Sequence, residues 1–192
     1  RRQLMAALGV VPLAAAWPRA VFAQKKIVLG LSQIGAGSEW RTANTESIKS
    51  SAKDAGIDLK FSDAQQKQEN QIKAIRSFIA QKVDVIAFSP VVETGWEGVL
   101  REIRAAKIPV ILMDRNIEIS DETLYVSLIG SDFVEEGRRA ARWLRDNTRD
   151  VPGDIAIVEL RGPVGSAPAN DRKQGFAEII TPERRYRIIR SQ

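Results

Sequence analysis

From Lys26 to Met113 the chain repeats one two-part pattern: a short apolar run, a turn, then a segment with apolar residues three and four apart. Apolar runs of this length predict strands, and the spacing predicts amphipathic helices. Ile27–Leu31 is the first run, followed by a loop with Gly35, Gly37 and Ser38. A helix then carries Thr45, Ile48, Ala52 and Ala55 on one face and stops at Gly56. Asp58–Phe61 is the second strand, and polar residues Asp63 to Asn70 form a crossover. Ile72, Ile75, Phe78 and Ile79 stripe the next helix, before a strand Val83–Phe88 that ends at Ser89-Pro90. Thr94-Gly95-Trp96-Glu97 fits a capping box ahead of a helix that buries Val99, Leu100 and Ile103. Ile108-Pro109-Val110-Ile111-Leu112-Met113 closes the series and runs straight into Asp114-Arg115. Apolar strands alternating with helices predict an α/β fold with a parallel, doubly wound sheet and right-handed crossovers.

The pattern then restarts. A strand over Leu124–Ile129 leads to Gly130-Ser131-Asp132, where Asp132 and Glu135 fit another capping box. The helix behind it places Val134, Ala141 and Leu144 inward. Pro152-Gly153 marks a turn, Ile155–Leu160 a strand, and Arg161–Gly165 a loop. Asn170-Asp171-Arg172 is expected to open a helix running to Ile180, and Tyr186–Ile189 is a last strand. Two lobes are expected, residues 24–130 and 131–192. The second holds too few elements to cover both faces of a parallel sheet, so an incomplete second lobe is expected.

Composition narrows the chemistry. The chain has no cysteine and no histidine. That removes disulfides, thiolate metal sites and every nucleophile that relies on an imidazole base. No cofactor and no catalytic residue is assigned. Residues 1–23 pair a basic start, Arg1-Arg2, with an apolar middle and a small-residue end at Val21-Phe22-Ala23. This describes an export signal cleaved after Ala23, and Arg-Arg-x-Leu-Met looks like a twin-arginine core. Pro12 interrupts the apolar run, which falls short of the ~20 residues that span a bilayer. Arg1, Arg2 and Arg19 carry three of the 29 basic charges with no acid among them, which leaves 26 basic against 24 acidic residues. The remainder is near neutral, and nucleic acid is not an expected partner.

In an open α/β sheet, ligands bind outside the carboxyl ends of the strands. Asp114 and Arg115 stand at such an end. A carboxylate only accepts hydrogen bonds and a guanidinium only donates them, so the pair suits a hydroxyl, which does both. The alternative is an ordinary strand-end ion pair. Ser89, at the end of the third strand, is expected to face the same crevice, although a serine before proline is also a common turn residue. Gly35-Ala36-Gly37-Ser38-Glu39-Trp40 resembles the start of a dinucleotide fingerprint, with Asp63 where a ribose-binding acid would stand, but Trp40 replaces the third glycine. As a ligand wall the loop is more apt: Trp40 can lie on a sugar's C–H face and Arg41 can donate to its oxygens. Arg172 is expected to reach the same ligand from the second lobe, and Trp96 to lie buried beneath the crevice.

Several stretches look like the periplasmic sugar-binding proteins of bacterial ABC importers, of the ribose- and galactose-binding type: Ser32-Gln33 to Trp40-Arg41, the Gln-rich crossover Gln65–Ala74, Ser89-Pro90-Val91-Val92, Thr94-Gly95-Trp96, Met113-Asp114-Arg115 and Asp171–Glu178. The resemblance covers Lys26 to Gln192. It implies a type I periplasmic binding protein fold, two Rossmann-like lobes closing over one monosaccharide, galactofuranose-like in kind. It implies contacts from Trp40, Arg41, Ser89, Asp114, Arg115 and Arg172, and a hinge crossing at Ser131-Asp132. Glu39 stands beside these contacts where glycine is expected, and is counted with the ligand-binding set. The implied protein is a periplasmic monomer that is not an enzyme and delivers its sugar to an inner-membrane permease. The effector domain of a LacI-type regulator shares this fold and is the alternative; it carries a helix-turn-helix where this chain has an export signal.

Overall fold

The computed structural model describes residues 25–192, so the leader expected over residues 1–23 lies outside them. Five strands form the first sheet: β1 (Val28–Gln33), β2 (Asp58–Asp63), β3 (Val85–Phe88), β4 (Val110–Asp114) and β5 (Ser127–Gly130). Their order is β2-β1-β3-β4-β5, with every neighbouring pair parallel. Helices α1 (Glu39–Asp54), α2 (Gln68–Ala80) and α3 (Glu97–Ala105) make the first three crossovers. The chain starts mid-sheet at β1 and winds both ways, as expected. The order therefore reverses between β1 and β3, and in open α/β sheets ligands bind beyond the carboxyl ends of strands at such a reversal.

One face of this sheet holds the main core. Ile75 and Phe78 of α2, Val99, Leu100 and Ile103 of α3, and Trp96 pack with Ile86 and Phe88 of β3 and Val110 and Leu112 of β4. The expected stripes account for most of it. In α1 the inward residue is Ala52, while Ala55 is exposed at the helix end. Trp96 is fully buried, as expected; its ring lies 4.8 Å from that of Phe88, and its Nε1 donates to the Val92 carbonyl at 2.7 Å.

The second sheet has two parallel strands, β6 (Ile155–Glu159) and β7 (Tyr186–Ser191). Helices α4 (Phe133–Asn147) and α5 (Ala167–Ile180) cross backbone to backbone. A Cβ on Gly137 would lie 2.1 Å from the Arg172 carbonyl oxygen, and one on Gly175 would lie 1.9 Å from that of Val134. Ala141, Ile180 and Tyr186 centre a smaller core beside them.

Local expectations fail where another segment competes. The capping box at Thr94–Glu97 does not form: Trp96 takes the cap position with no side-chain cap bond. Gly95 turns the chain at φ +84°, and the Glu97 carboxylate accepts instead from the Ser120 hydroxyl at 2.6 Å. The box at Asp132 is half made. Asp132 Oδ1 accepts from Glu135 N at 2.9 Å, while the Glu135 carboxylate pairs with Arg138, Arg139 and Arg142. The strand expected over 124–129 is shorter. Leu124 ends a 3-10 turn, Glu122–Leu124, that Asp121 caps, and β5 begins at Ser127. Asn170-Asp171-Arg172 does not open a helix, because α5 begins at Ala167 with Pro168 in its first turn.

Candidate functional site

The crevice is built from strand ends. β4 closes at Asp114 with φ +66°, a left-handed turn that few non-glycine residues adopt and that aspartate tolerates. Asp114 pairs in register with Gly130 of β5, where an added Cβ would lie 2.6 Å from the Asp114 carbonyl oxygen. The bare glycine thus lets β5 close on the turn that aims Asp114. Arg115 follows it inward and is only 7% exposed. Its Nη1 donates to the Val91 carbonyl at 3.2 Å. Its Nε lies 3.6 Å from Asp114 Oδ2, an ion pair rather than a hydrogen bond, and this buried N–H has no acceptor.

The charges around the pair come from distant parts of the chain. Burial pushes the Asp114 carboxyl above its ordinary range; Arg115, then Arg41, then Arg172 pull it back. Burial also draws the Arg115 guanidinium below its usual value, helped by Arg41 and opposed by Asp114. Arg41 sits in the first turn of α1, where Ser38 caps the helix by accepting from Arg41 N at 3.3 Å. Arg172 sits in α5, and its first partner is in its own half of the molecule. Its Nε donates to Glu136 Oε2 at 2.8 Å, and its guanidinium lies 4.5 Å over the Phe133 ring. Its charge reaches the crevice while its hydrogen bond stays beside α4.

Two serines, Ser32 and Ser89, are buried at the carboxyl ends of β1 and β3, and neither Oγ has a partner. The two strand ends are joined by Ser89 N donating to the Ser32 carbonyl at 3.2 Å. Gln71 holds the loop beyond Ser89, donating to the Ser89 carbonyl at 2.7 Å and accepting from Val91 N at 2.9 Å. Trp40 is 56% exposed at the start of α1, and Glu39 beside it is also exposed. Ser131 and Asp132 lie exposed between β5 and α4, where Asp132 serves as the helix cap.

Asp114, Arg115, Arg41, Arg172 and Ser89 therefore converge on one end of the first sheet. Ser32, Gln71 and Gly130 are contributors that sequence reasoning missed. Gln71 had a visible signal, since it lies on the stripe of Ile75 and Phe78 at the spacing of a buried residue. The loop after β1 is not shaped for a pyrophosphate. Asp63 Oδ1 accepts from Gln65 N at 2.7 Å, and the Gln66 side chain lies against both Gly35 and Gly37. This end of the sheet gathers one acceptor-only group, donor-only groups and two buried hydroxyls without partners. That set matches a neutral ligand whose polar groups each donate and accept.

A family model described as a periplasmic binding protein domain matches residues 29–191. The chain is 49% identical over 166 residues to the galactofuranose-binding protein YtfQ of Escherichia coli (strain K12), a match covering 86% of this chain and 52% of that one. Among solved structures, one from Mycobacterium smegmatis in complex with β-D-fucofuranose aligns at TM-score 0.83 and 56% identity, over 86% of this chain and 55% of that one. The periplasmic binding protein component of the arabinose ABC transporter from Shewanella sp. ANA-3, bound to α- and β-L-arabinofuranose, aligns at TM-score 0.80 and 54% identity, over 86% and 54%. The chain thus spans about half the length of the relatives it matches. Because the matched stretch runs from β1 to β7 and takes in both sheets, the chain belongs to the periplasmic binding protein domain family.

Proposed function

We propose that this chain is part of the solute-binding protein of an ABC sugar importer, and that it captures a monosaccharide in furanose form without altering it. The observation that carries the proposal is the half-buried Asp114 beside the buried Arg115, whose Nε–H has no acceptor, with the free Ser89 hydroxyl at the end of β3. A sugar hydroxyl donating to Asp114, and a ring or hydroxyl oxygen accepting from Arg115, would satisfy both. Hydrogen bonds to charged groups contribute roughly 1.5–3 kcal/mol each. Trp40 supplies an apolar face, and Arg41 and Arg172 supply further donors. The furanose preference rests on relatives whose bound or named sugars are galactofuranose, fucofuranose and arabinofuranose. Those relatives also favour the importer over a LacI-type regulator.

In this proposal residues 24–130 and 131–192 belong to separate lobes, Ser131-Asp132 is a hinge crossing, and the site lies between the lobes. Residues 1–23 direct export to the periplasm, where the monomeric protein passes its sugar to the permease without a cofactor. Sugar that touches both lobes favours the closed arrangement by its differential affinity. The test is titration calorimetry on the full-length protein with L-arabinose and D-galactose, whose solutions contain furanose forms. Asp114→Ala is expected to abolish binding; an affinity equal to wild type would remove Asp114 from the site.

A further inference from the structure

Glu93 lies in the loop between β3 and α3. The backbone on both sides of it is held from the first sheet's side. Gln71 and Arg115 bond Val91, Trp96 Nε1 bonds the Val92 carbonyl, and Gln68 Nε2 donates to the Thr94 carbonyl at 2.7 Å. The Glu93 carbonyl also accepts from Glu118 N on that side, at 2.7 Å, but the Glu93 amide and side chain point the other way. Its backbone N donates to the Gly165 carbonyl at 2.9 Å, and its Oε1 accepts from the Asn170 Nδ2 amide. Both partners belong to the β6–α5 segment, and Asn170 precedes Arg172 by two residues in α5. Gly165 turns at φ +75° with Val92 alongside, so the approach is close in backbone as well as side chain. A short relay runs from Arg115 through Val91 to Glu93 and on to α5.

We propose that Glu93 is a positioning residue, a clasp that holds the α5 side of the molecule over the crevice and so keeps Arg172 within reach of Asp114. The hydrogen bonds to Gly165 and Asn170 exist only while the two sides are together, so they add to the closed arrangement and nothing to the open one. The role needs an acceptor, not a charge. Burial, Glu93 and Asp132 together raise the Asp171 carboxyl above its usual range, so a negative charge at position 93 works against its neighbours. Glu93→Gln keeps an acceptor for Asn170 and relieves that repulsion; Glu93→Ala loses the acceptor. A protein whose binding-competent fraction falls tenfold binds its ligand about tenfold more weakly.

The role in ligand capture rests on the sugar-binding proposal, and the test separates the two. The chain has no cysteine, so spin labels at Lys53→Cys in α1 and Asp150→Cys beyond α4 are unique in residues 1–192. In the full-length protein, label distances with and without D-galactose report closure, and calorimetry with the same sugar reports affinity. Glu93→Ala and Asn170→Ala are expected to lengthen and broaden the distances and to raise Kd about tenfold, chiefly through faster release. Glu93→Gln is expected to keep the wild-type distances and a Kd within about twofold. Unchanged distances and Kd in Glu93→Ala would overturn the clasp, as would a Glu93→Gln as loose as Glu93→Ala. A distance change in a protein that binds neither D-galactose nor L-arabinose would keep the clasp and overturn the sugar site.

Discussion

At the scale of single residues, Asp114 joins an unusual backbone to an unusual charge. Its left-handed turn and its raised carboxyl pKa arise from the same place, the end of a buried strand. In the proposed complex, sugar hydroxyls donating to the carboxylate would favour its charged form, so the pKa with sugar bound would lie below the pKa without it. Affinity is then full above the sugar-free pKa and declines as pH falls through it, with a proton released on binding in that window. The decline is expected to begin above the ordinary aspartate value of about 3.9. Calorimetry in buffers of different ionisation enthalpy measures both the decline and the proton. An affinity flat down to the ordinary aspartate range would show that this carboxylate does not hold the ligand.

At the scale of elements, two glycines on helices make opposite predictions. Gly175 of α5 lies against the α4 backbone, and its added Cβ would fall 1.9 Å from the Val134 carbonyl oxygen. Gly175→Ala forces the helices apart, at a cost of about 3 kcal/mol or more, the upper end of overpacking penalties. Gly98, near the start of α3, has no atom within 4 Å of where its Cβ would be. Gly98→Ala removes unfolded-state freedom and is expected to stabilise by roughly 0.4–1 kcal/mol. Denaturant midpoints on the two variants check both signs. The sequence shows both as glycines inside helical patterns, and only the crossing of α4 on α5 tells them apart. Helix starts followed the same rule. Thr94 and Glu97 match a capping box letter for letter, yet Trp96 takes the cap position and Ser120 takes the Glu97 carboxylate the box needs. The start of α5 is marked by Pro168 in its first turn, ahead of the Asn-Asp pair.

At the scale of the whole molecule, the two sheets are unequal. The first is covered by helices over its central strands, whereas β6 and β7 leave Val158, Leu160, Ile188 and Ile189 exposed. Large apolar side chains left exposed on so small a sheet call for a cover. Residues 25–192 produced alone are expected to bind a hydrophobic dye such as ANS, and Val158→Lys with Ile188→Lys to reduce that fluorescence by more than half. Dye binding unchanged by the double substitution would place the sticky surface elsewhere. Much of the fold was legible because a strand or helix announces itself over a few neighbouring residues. The crevice was legible in part, through Asp114-Arg115 and Ser89, since strand ends are visible as soon as strands are.

The amino-acid sequence alone determined the order of the elements, the parallel winding of the first sheet, and an acid and a base at the end of β4. These follow from local periodicity, which needs no knowledge of what lies nearby. The tertiary structure alone decided which charges meet. It brought Arg41 and Arg172 to bear on Asp114, tied Arg172 to Glu136, and joined Glu93 to Asn170. Hydrogen bonds and Coulomb forces depend on distance in space, and folding sets that distance between residues far apart in the chain.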